Sequence, residues 1–245
     1  MKTLLLLFAF AIAAASHVPC RGQIPKGATI LEERGLPKHR KLILWMPNAV
    51  KHPYENGDIY TCPDMSRGSF YSGDVRVTLV DLITGKVINT LEVKGNDDSV
   101  DSTPQSRDPL DLPYAIRSGY YYYVPNGSSK TERKPRIMNL KDYNGDGKAL
   151  EFALFDAPAC MGLPTSLIGY DEPKDRVIQY PITIHTPEGT TSDHWLDYLF
   201  SEKPKRPMHW SYHIDYRGRG GTLDSFTVRY DPKRRAFDAT IKRRQ

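Results

Sequence analysis

The feature that most constrains the fold is a pair of alternating segments joined by a short turn. Residues 75–80 and 87–93 are rich in apolar and β-branched side chains, and the connection at 81–86 contains Gly85. Alternation of apolar and polar residues is typical of a strand with one buried face. A short connection containing glycine favours an antiparallel turn. The segment therefore predicts a β-hairpin.

The same pattern recurs twice later in the chain. An apolar or aromatic residue precedes an Asp, a short polar turn follows, and a basic residue leads into the next apolar segment. The three copies are residues 80–88, 170–178 and 230–237. The pattern resembles the outer-strand hairpin of secreted β-propellers. The alternative needs no repeat, because an Asp side chain accepts turn N–H groups in any antiparallel sheet.

Turn-forming residues limit what else the chain can form. With 19 Pro and 18 Gly in 245 residues, long helices have little room, and a coiled coil, a helical solenoid and a multi-span membrane protein are excluded. Only residues 193–200 have a short helical pattern with a capping side chain. Further strand patterns occupy residues 41–46, 136–140, 177–185, 210–216, 225–230 and 236–242. We predict an all-β, antiparallel, hairpin-rich single domain, either a sandwich or a small propeller-like structure, with few short helices.

The N-terminal residues predict export. Lys2 gives a positive start, residues 4–15 are apolar, and small residues follow, as in a cleavable signal peptide. This apolar run is shorter than the roughly 18–20 residues that span a bilayer. We expect a signal peptide at residues 1–16, an irregular segment at 17–40 and a single β domain at 41–245. The protein is expected to be secreted, to the periplasm or the extracellular space.

The chain has three cysteines, Cys20, Cys62 and Cys160. In an oxidising compartment one pair tends to close. A disulfide between Cys62 and Cys160 is favoured, because both lie near predicted strands whereas Cys20 lies in a terminal segment rich in Pro and Gly. No Cys-x-x-Cys spacing indicates a redox site.

One loop has the spacing of a cation site. Residues 142–148 read Asp-Tyr-Asn-Gly-Asp-Gly-Lys, with oxygen-bearing side chains at alternate positions and a glycine after the third. Ca²⁺ requires six to eight oxygen ligands. Asp142, Asn144 and Asp146 supply side chains, and the Lys148 carbonyl is placed to add a backbone ligand. Strand patterns on both sides argue against a helix–loop–helix calcium hand.

This segment resembles the strand–loop–strand calcium site of FG-GAP and VCBS repeats, whose loop has a further Asp at its ninth position. Here Leu150 is ninth and Glu151 is tenth. The resemblance implies a structural Ca²⁺ held by the four groups named above, with Glu151 as the candidate for the last ligand. A bound cation would cancel the repulsion between Asp142 and Asp146 and fix the loop. An Asn-Gly turn that folds without metal is the alternative.

Positive charge is concentrated in residues 203–245, where 12 Lys and Arg outnumber 4 Asp, against a net charge of +5 for the whole chain. Alternation in the last predicted hairpin separates most basic residues from the apolar ones. Lys233, Arg234 and Arg235 at its turn are the candidates for anion binding. An anionic extracellular polymer or glycan is the expected partner, since nucleic acid suits the charge but not the compartment. A solvated basic edge that discourages aggregation is the alternative.

No motif for a nucleophile elbow, a zinc protease or a phosphate-binding loop is present. We therefore expect an exported, calcium-stabilised binding or structural module rather than an enzyme, without a nucleic-acid partner and without a membrane span. The alternative is a secreted glycan-active hydrolase whose calcium supports the fold. Its paired carboxylates are defined by geometry, which a sequence does not reveal. The oligomeric state is left open.

Overall fold

The computed structural model describes residues 24–52, 70–95, 110–113, 136–156 and 163–245. Within these ranges the chain is all-β, and its helical content is limited to 3₁₀ turns of three residues. The prediction of an antiparallel all-β fold is confirmed. The strands are β1 Thr29–Leu36, β2 Arg40–Met46, β3 Val50–His52, β4 Phe70–Gly73, β5 Arg76–Asp81, β6 Val87–Glu92, β7 Leu110–Pro113, β8 Glu151–Phe155, β9 Pro164–Asp171, β10 Arg176–Gln179, β11 Ile182–Thr186, β12 Gly189–Asp193, β13 Trp195–Asp197, β14 His209–Asp215, β15 Leu223–Asp231 and β16 Ala236–Arg244.

Strand β9 lies at the centre of the structure, and all eight of its residues are buried. It pairs with β8 along one edge, while β13 and β10 share the other edge, and these four strands form the central sheet. Successive residues of β9 enter different hydrophobic cores: Ile168 faces one and Leu167 the other. Because successive side chains of a strand point to opposite faces, the central sheet is covered on both sides.

The first core is closed by a four-stranded antiparallel sheet, the first sheet, with order β1-β2-β5-β6. Its inner side chains include Leu42, Leu44 and Val77, which are completely buried and belong to the same core as Phe152 of β8. The predicted hairpin at residues 75–93 is confirmed as β5 and β6. A separate small sheet is formed by β3, β4 and β7.

The second core is closed by a five-stranded sheet, the third sheet, with order β12-β11-β16-β15-β14. Its neighbours are antiparallel except β11 and β16, which are parallel. Trp210 and Phe237 meet edge-to-face on its inner side, with ring centroids 5.8 Å apart, and Phe200 packs against both. Aromatic rings dominate this core, whereas aliphatic side chains dominate the first.

The three recurring segments form three equivalent hairpins, β5–β6, β9–β10 and β15–β16, each in a different sheet. In each turn the aspartate, Asp81, Asp171 or Asp231, accepts a backbone N–H from two or three residues later, at 2.8 to 3.4 Å. The predicted turn chemistry is therefore confirmed at all three positions.

Arginines connect these turns. Arg40 donates to Asp81 of the first hairpin at 2.7 Å, and to both oxygens of Asp175 in the second hairpin at 2.9 and 2.7 Å. Arg235 of the third hairpin donates to Asp171 of the second. Bidentate and charge-assisted bonds of this kind fix orientation as well as distance. The three sheets are thus joined at their hairpin turns as well as through their cores.

The predicted helix at residues 193–200 is wrong. Asp193 ends β12, and Trp195–Asp197 forms β13, which pairs with β9. Leu196 and Phe200 are buried in the second core. Pairing with a strand that lies earlier in the sequence overrides the local helical pattern.

Residues 136–140 form no strand. The backbone N–H groups of Ile137 and Met138 instead donate to the buried carboxylate of Glu32, at 2.5 and 3.0 Å, and Arg34 donates to the Met138 carbonyl. These side chains satisfy the backbone groups that a neighbouring strand would otherwise take.

Strand β1, Thr29–Leu36, lies within residues 17–40, for which an irregular segment was the expectation. Its register shifts between Ile30 and Glu32, which breaks the alternation that identifies a strand. The predicted signal peptide at residues 1–16 and the predicted Cys62–Cys160 disulfide, with Cys20, lie outside the described residues. In the part that is described, no helix is both long and apolar enough to cross a membrane.

We predict that Leu167→Ala and Ile168→Ala each lower the free energy of unfolding by about 2–5 kcal/mol, because each leaves a cavity in a different core. Thr240→Ala, at an exposed position of β16, should cost less than about 1 kcal/mol. Urea unfolding measures all three. If only one of the β9 variants is destabilised beyond the control, the two-sided burial of β9 is wrong.

Candidate metal centre

The acidic loop at residues 142–150 is closed at its base by a single antiparallel bridge. Lys141 and Glu151 exchange backbone hydrogen bonds at 2.7 and 3.2 Å. Gly145 and Gly147 have φ values of 75° and 83°, a left-handed conformation that glycine adopts without steric cost. The glycines therefore allow nine residues to fold back tightly in front of β8.

The three predicted side-chain ligands are ordered by their own loop. Asp142, Asn144 and Asp146 each accept backbone N–H groups from two to five residues later, at 2.7 to 2.9 Å. The carbonyl of Lys148 accepts the N–H of Leu150 at 3.1 Å. The side-chain oxygens of the predicted ligands therefore accept N–H groups of the loop itself, as in a turn that folds without metal.

Glu151 lies beneath this loop and has no exposed surface. Its Oε1 accepts the Asn144 Nδ2 at 2.8 Å, and its Oε2 accepts the backbone N–H of Tyr143 at 3.2 Å. The Tyr180 hydroxyl is 3.4 Å from Oε1. Gly169 stands opposite Glu151 on β9, and a Cβ there would lie 2.7 Å from the Glu151 Cγ. Glycine at 169 makes room for the buried carboxylate.

The environment of Glu151 disfavours its charge. Burial, together with the negative charges of Asp146 and Asp142, raises its pKa to about 8, although hydrogen bonds from Tyr143 and Tyr180 act in the opposite direction. Desolvation together with like charges is the usual cause of such a shift. Without a cation the carboxyl group is mostly protonated at neutral pH.

The loop brings Asn144 and Asp146 close to Glu151, whereas the Asp142 carboxylate accepts the backbone N–H groups of Gly145 and Gly147. The Asn144 Nδ2 lies between two carboxylates, 2.8 Å from Glu151 and 3.4 Å from Asp146. Within the described ranges, no three His, Cys, Asp or Glu side chains converge as a ready set of metal ligands. A cation here would therefore depend on the carboxamide and on a backbone carbonyl in addition to carboxylates, which is the mixed oxygen set that Ca²⁺ accepts.

The acidic loop contacts a residue next to the third sheet and the turn of the second hairpin. A Cβ at Gly145 would lie 2.6 Å from the Sδ of Met208, so glycine permits this contact as well as the turn. Met208 precedes β14, and its carbonyl accepts the N–H of Tyr230 on β15. The Lys148 ammonium pairs with Glu172 in the second hairpin, and Glu172 also pairs with Lys38 at 3.1 Å.

A pocket of about 310 Å³ adjoins the loop. Asn144 and Asp146 line one side, and the turns of the second and third hairpins line the other. The tyrosines 170, 180 and 230 form part of its wall, and burial raises the pKa of Tyr170 and of Tyr230 to about 12. The pocket therefore lies at the junction of the central and third sheets.

Two carboxylates of the pocket, Asp171 and Glu172, are held in ion pairs, whereas Asp146 is exposed and accepts only amide N–H groups of the described residues. Asp171 is almost fully buried, and its Oδ1 accepts from Arg235 and from the Lys174 backbone N–H. Its Oδ2 has no hydrogen-bond partner among the described residues and lies 3.9 Å from the Lys174 Nζ. Two lysines lower the pKa of Glu172 by hydrogen bonding.

The three predicted anion-binding residues do not form one cluster. Arg234 donates to Asp238 at 2.8 Å and to the Thr183 hydroxyl at 2.9 Å. Arg235 turns the opposite way, into the ion pair with Asp171. Lys233 is exposed at the tip of the turn. Successive residues of the turn point to opposite faces, so Arg234 and Arg235 are neighbours in sequence but bind different partners.

No family model, curated protein or solved structure matches this chain.

Sequence reasoning did not identify the residues that enclose the loop from a distance, namely Gly169, Tyr180 and Met208. Gly169 carried the clearest signal, because an isolated glycine within an apolar strand indicates close approach of another group. Tyr180 and Met208 carry no such signal, since their contact with the loop depends on how the sheets pack.

We predict that, without divalent cations, the free energy of unfolding falls as the pH rises from about 5 to about 8.5. The folded-state pKa of Glu151 is raised from 4.5 to about 8. The folded protein therefore holds this proton more tightly than the unfolded chain does. The resulting stability is fully present below about pH 4.5 and is lost as the pH passes 8, by on the order of a few kcal/mol.

Glu151→Gln should flatten this pH dependence in urea unfolding, because glutamine cannot ionise. Asp215→Asn is the matched control. The pair with Arg217 lowers the pKa of exposed Asp215 to about 2, so this variant should keep the parent slope. A parent slope that persists in Glu151→Gln would show that other groups cause it.

Proposed function

We propose that the protein is an exported, calcium-stabilised β module that binds an anionic polymer or glycan outside the cell. The observation that carries the calcium assignment is the complete burial of Glu151 beside Asp142, Asn144 and Asp146. A carboxylate in this position is costly when ionised and unpaired. A cation among these oxygens would offset that cost, and Ca²⁺ is abundant enough outside cells to fill a weak site.

The surroundings of the loop favour a structural role for the cation. The loop contacts the third sheet through Met208 and the second hairpin through Lys148. A cation bound only by the folded chain would stabilise this junction by mass action. Bound Ca²⁺ would supply positive charge, and the chain's own residues would position it.

The pocket favours binding over hydrolysis. Hydrolysis of a glycosidic bond requires an acid and a base or nucleophile that both reach the substrate. Asp171 is committed to Arg235, and Glu172 to two lysines. Glu151 has the raised pKa of a general acid but no exposed surface.

An anionic partner is supported by the distribution of charge. Strands β14, β15 and β16 of the third sheet belong to the segment 203–245, which contains 12 Lys and Arg but only 4 Asp. Apolar side chains of β15 and β16 are buried, as predicted, so this charge is displayed on a rigid framework. Positive potential of this kind attracts polyanions at low ionic strength.

We predict that millimolar Ca²⁺ raises the melting temperature by a few °C at about pH 8.5, corresponding to roughly 1–2 kcal/mol for a weak extracellular-type site. Asp146→Ala and Glu151→Gln should each abolish the increase, because each removes a negatively charged carboxylate from the proposed ligand set. Asp215→Ala, in which the lost carboxylate lies outside the loop, should keep it. Emission from Tb³⁺ sensitised by the nearby tyrosines gives an independent measure of binding.

A melting temperature that ignores Ca²⁺ and chelator alike, together with no Tb³⁺ emission, would refute the calcium assignment. An increase that survives in Asp146→Ala would place the ion elsewhere.

We predict that the intact protein is retained on a heparin column at low salt and elutes as the ionic strength rises, because salt screens the attraction between exposed charges. A column of neutral dextran serves as the control. Passage through heparin without delay at low salt would refute the binding half of the proposal while leaving the calcium half untouched.

A further inference from the structure

The outer face of the third sheet is mainly polar across all five strands, and its apolar exceptions, Leu223 and Ala236, lie at the ends of β15 and β16. One row of side chains crosses the sheet in register through paired positions of β12, β11, β16, β15 and β14. The members of this row are Thr190, His185, Thr240, Thr227 and Ser211. Four strand spacings of about 4.8 Å make the row roughly 19 Å long. Four hydroxyl groups and one imidazole therefore form a line of hydrogen-bonding groups across the sheet.

The central part of this row, His185, Thr240 and Thr227, lies in a depression, whereas Thr190 and Ser211 at its ends do not line it. A hollow of about 550 Å³ is lined by residues of the row and by their neighbours on β15, β16 and the third hairpin turn. Its lining consists of His185, Thr227, Arg229, Arg234, Asp238 and Thr240. Thr227 and Thr240 in the middle of the row are exposed. The hollow is therefore a groove floored by hydroxyls, distinct from the pocket beside the acidic loop.

Basic residues flank the row on both sides. Arg229 is two residues from Thr227 along β15. Lys242 is two residues from Thr240 along β16, on the other side of the row, and both basic side chains are exposed. Neither forms an ion pair with any described residue. Asp238, the acid that lines the groove, is paired with Arg234, and Asp215, farther away on β14, is paired with Arg217. The groove thus has an excess of positive charge, and its hydroxyls can both donate and accept.

This chemistry fits a sugar chain better than other polyanions. Proteins that hold single-stranded nucleic acid stack bases on aromatic side chains, and surfaces that bind lipid insert apolar or aromatic anchors. The outward positions of β11, β14, β15 and β16 carry no Phe, Tyr or Trp, and their large apolar side chain, Leu223, lies at the end of β15, two outward positions from Thr227. Ring hydroxyls of a polysaccharide match a row of Thr and Ser, and its acid groups match Arg229 and Lys242.

The geometry points to this groove as the binding site for a linear acidic polysaccharide that crosses the strands of the third sheet along the hydroxyl row. The inference rests on the proposed function, because it assigns the anionic partner a class and a place. It replaces the turn residues Lys233 and Arg235 with Arg229 and Lys242 as the main charged contacts. Arg234, held by Asp238 and Thr183, forms one rim of the groove.

The test measures the affinity of the full chain for polygalacturonate, a linear polysaccharide with one carboxylate per sugar, by titration calorimetry. Arg229→Gln with Lys242→Gln should weaken binding about tenfold or more, because two contacts with the acid groups are lost. Thr227→Val with Thr240→Val should weaken it about fivefold at unchanged charge, because hydroxyl contacts are lost. Both pairs are at exposed strand positions, and their melting temperatures confirm folding.

The matched control is Lys26→Gln with Lys86→Gln, which removes the same charge from exposed positions away from the third sheet. This pair should change affinity by less than about threefold. An equal loss in the control and in the Arg229/Lys242 pair would show diffuse attraction and overturn the groove. Parent-like affinity in both groove pairs would also overturn it, while leaving the proposed function standing.

Two further probes decide the class of partner. Single-stranded DNA and phosphatidylglycerol vesicles should bind more weakly than polygalacturonate at equal ionic strength, with little dependence on Thr227 and Thr240. Tighter binding of either probe through the same residues would overturn the assignment to polysaccharide. Absence of binding by the parent to polygalacturonate and to heparin would instead refute the proposed function itself, and the groove with it.

Discussion

The structure depends on burying one strand from both sides. Because β9 has no exposed residue, the central sheet is stable only when the first and third sheets both cover it. Leu167 and Ile168 are neighbours in sequence, yet they belong to different cores. The acidic loop, in front of β8, and the groove, on the third sheet, therefore belong to one cooperative unit.

The same strand explains why the candidate metal centre is where it is. Glu151 begins β8, which is the partner of β9, and its side chain lies on the face of the central sheet that carries the second core, where Asn144 and Tyr180 enclose it. Gly169 provides the space, and the loop provides the partners. Arg40 and Arg235 then hold the hairpin turns around this region by pairing with aspartates of the second hairpin. The free-energy cost of burying Glu151 arises in its immediate surroundings. The contacts that keep these surroundings in place come from all three sheets.

Features determined by near neighbours could be predicted from the sequence, and features determined by packing could not. The hairpins and their aspartate turns follow from local alternation, and so does the spacing of Asp142, Asn144 and Asp146. The segment at 193–200 was misassigned because its pairing with β9 carries no local signal. Similarly, Glu32 captures the backbone of residues 136–140 from more than a hundred residues away. The enclosure of Glu151 and the hydroxyl row both require the register between distant strands.

The parallel pairing of β11 with β16 has a consequence for how the molecule assembles. Strands β12 to β15 lie between these two in sequence, so β11 can pair with β16 only after all four have been synthesised. Parallel pairing over such a separation has a high entropic cost and forms late. A chain interrupted before residue 236 would lack β16 and would leave β11 and β15 with open edges. The groove is therefore completed late in folding. A ligand of the groove would bind only molecules in which the third sheet is complete.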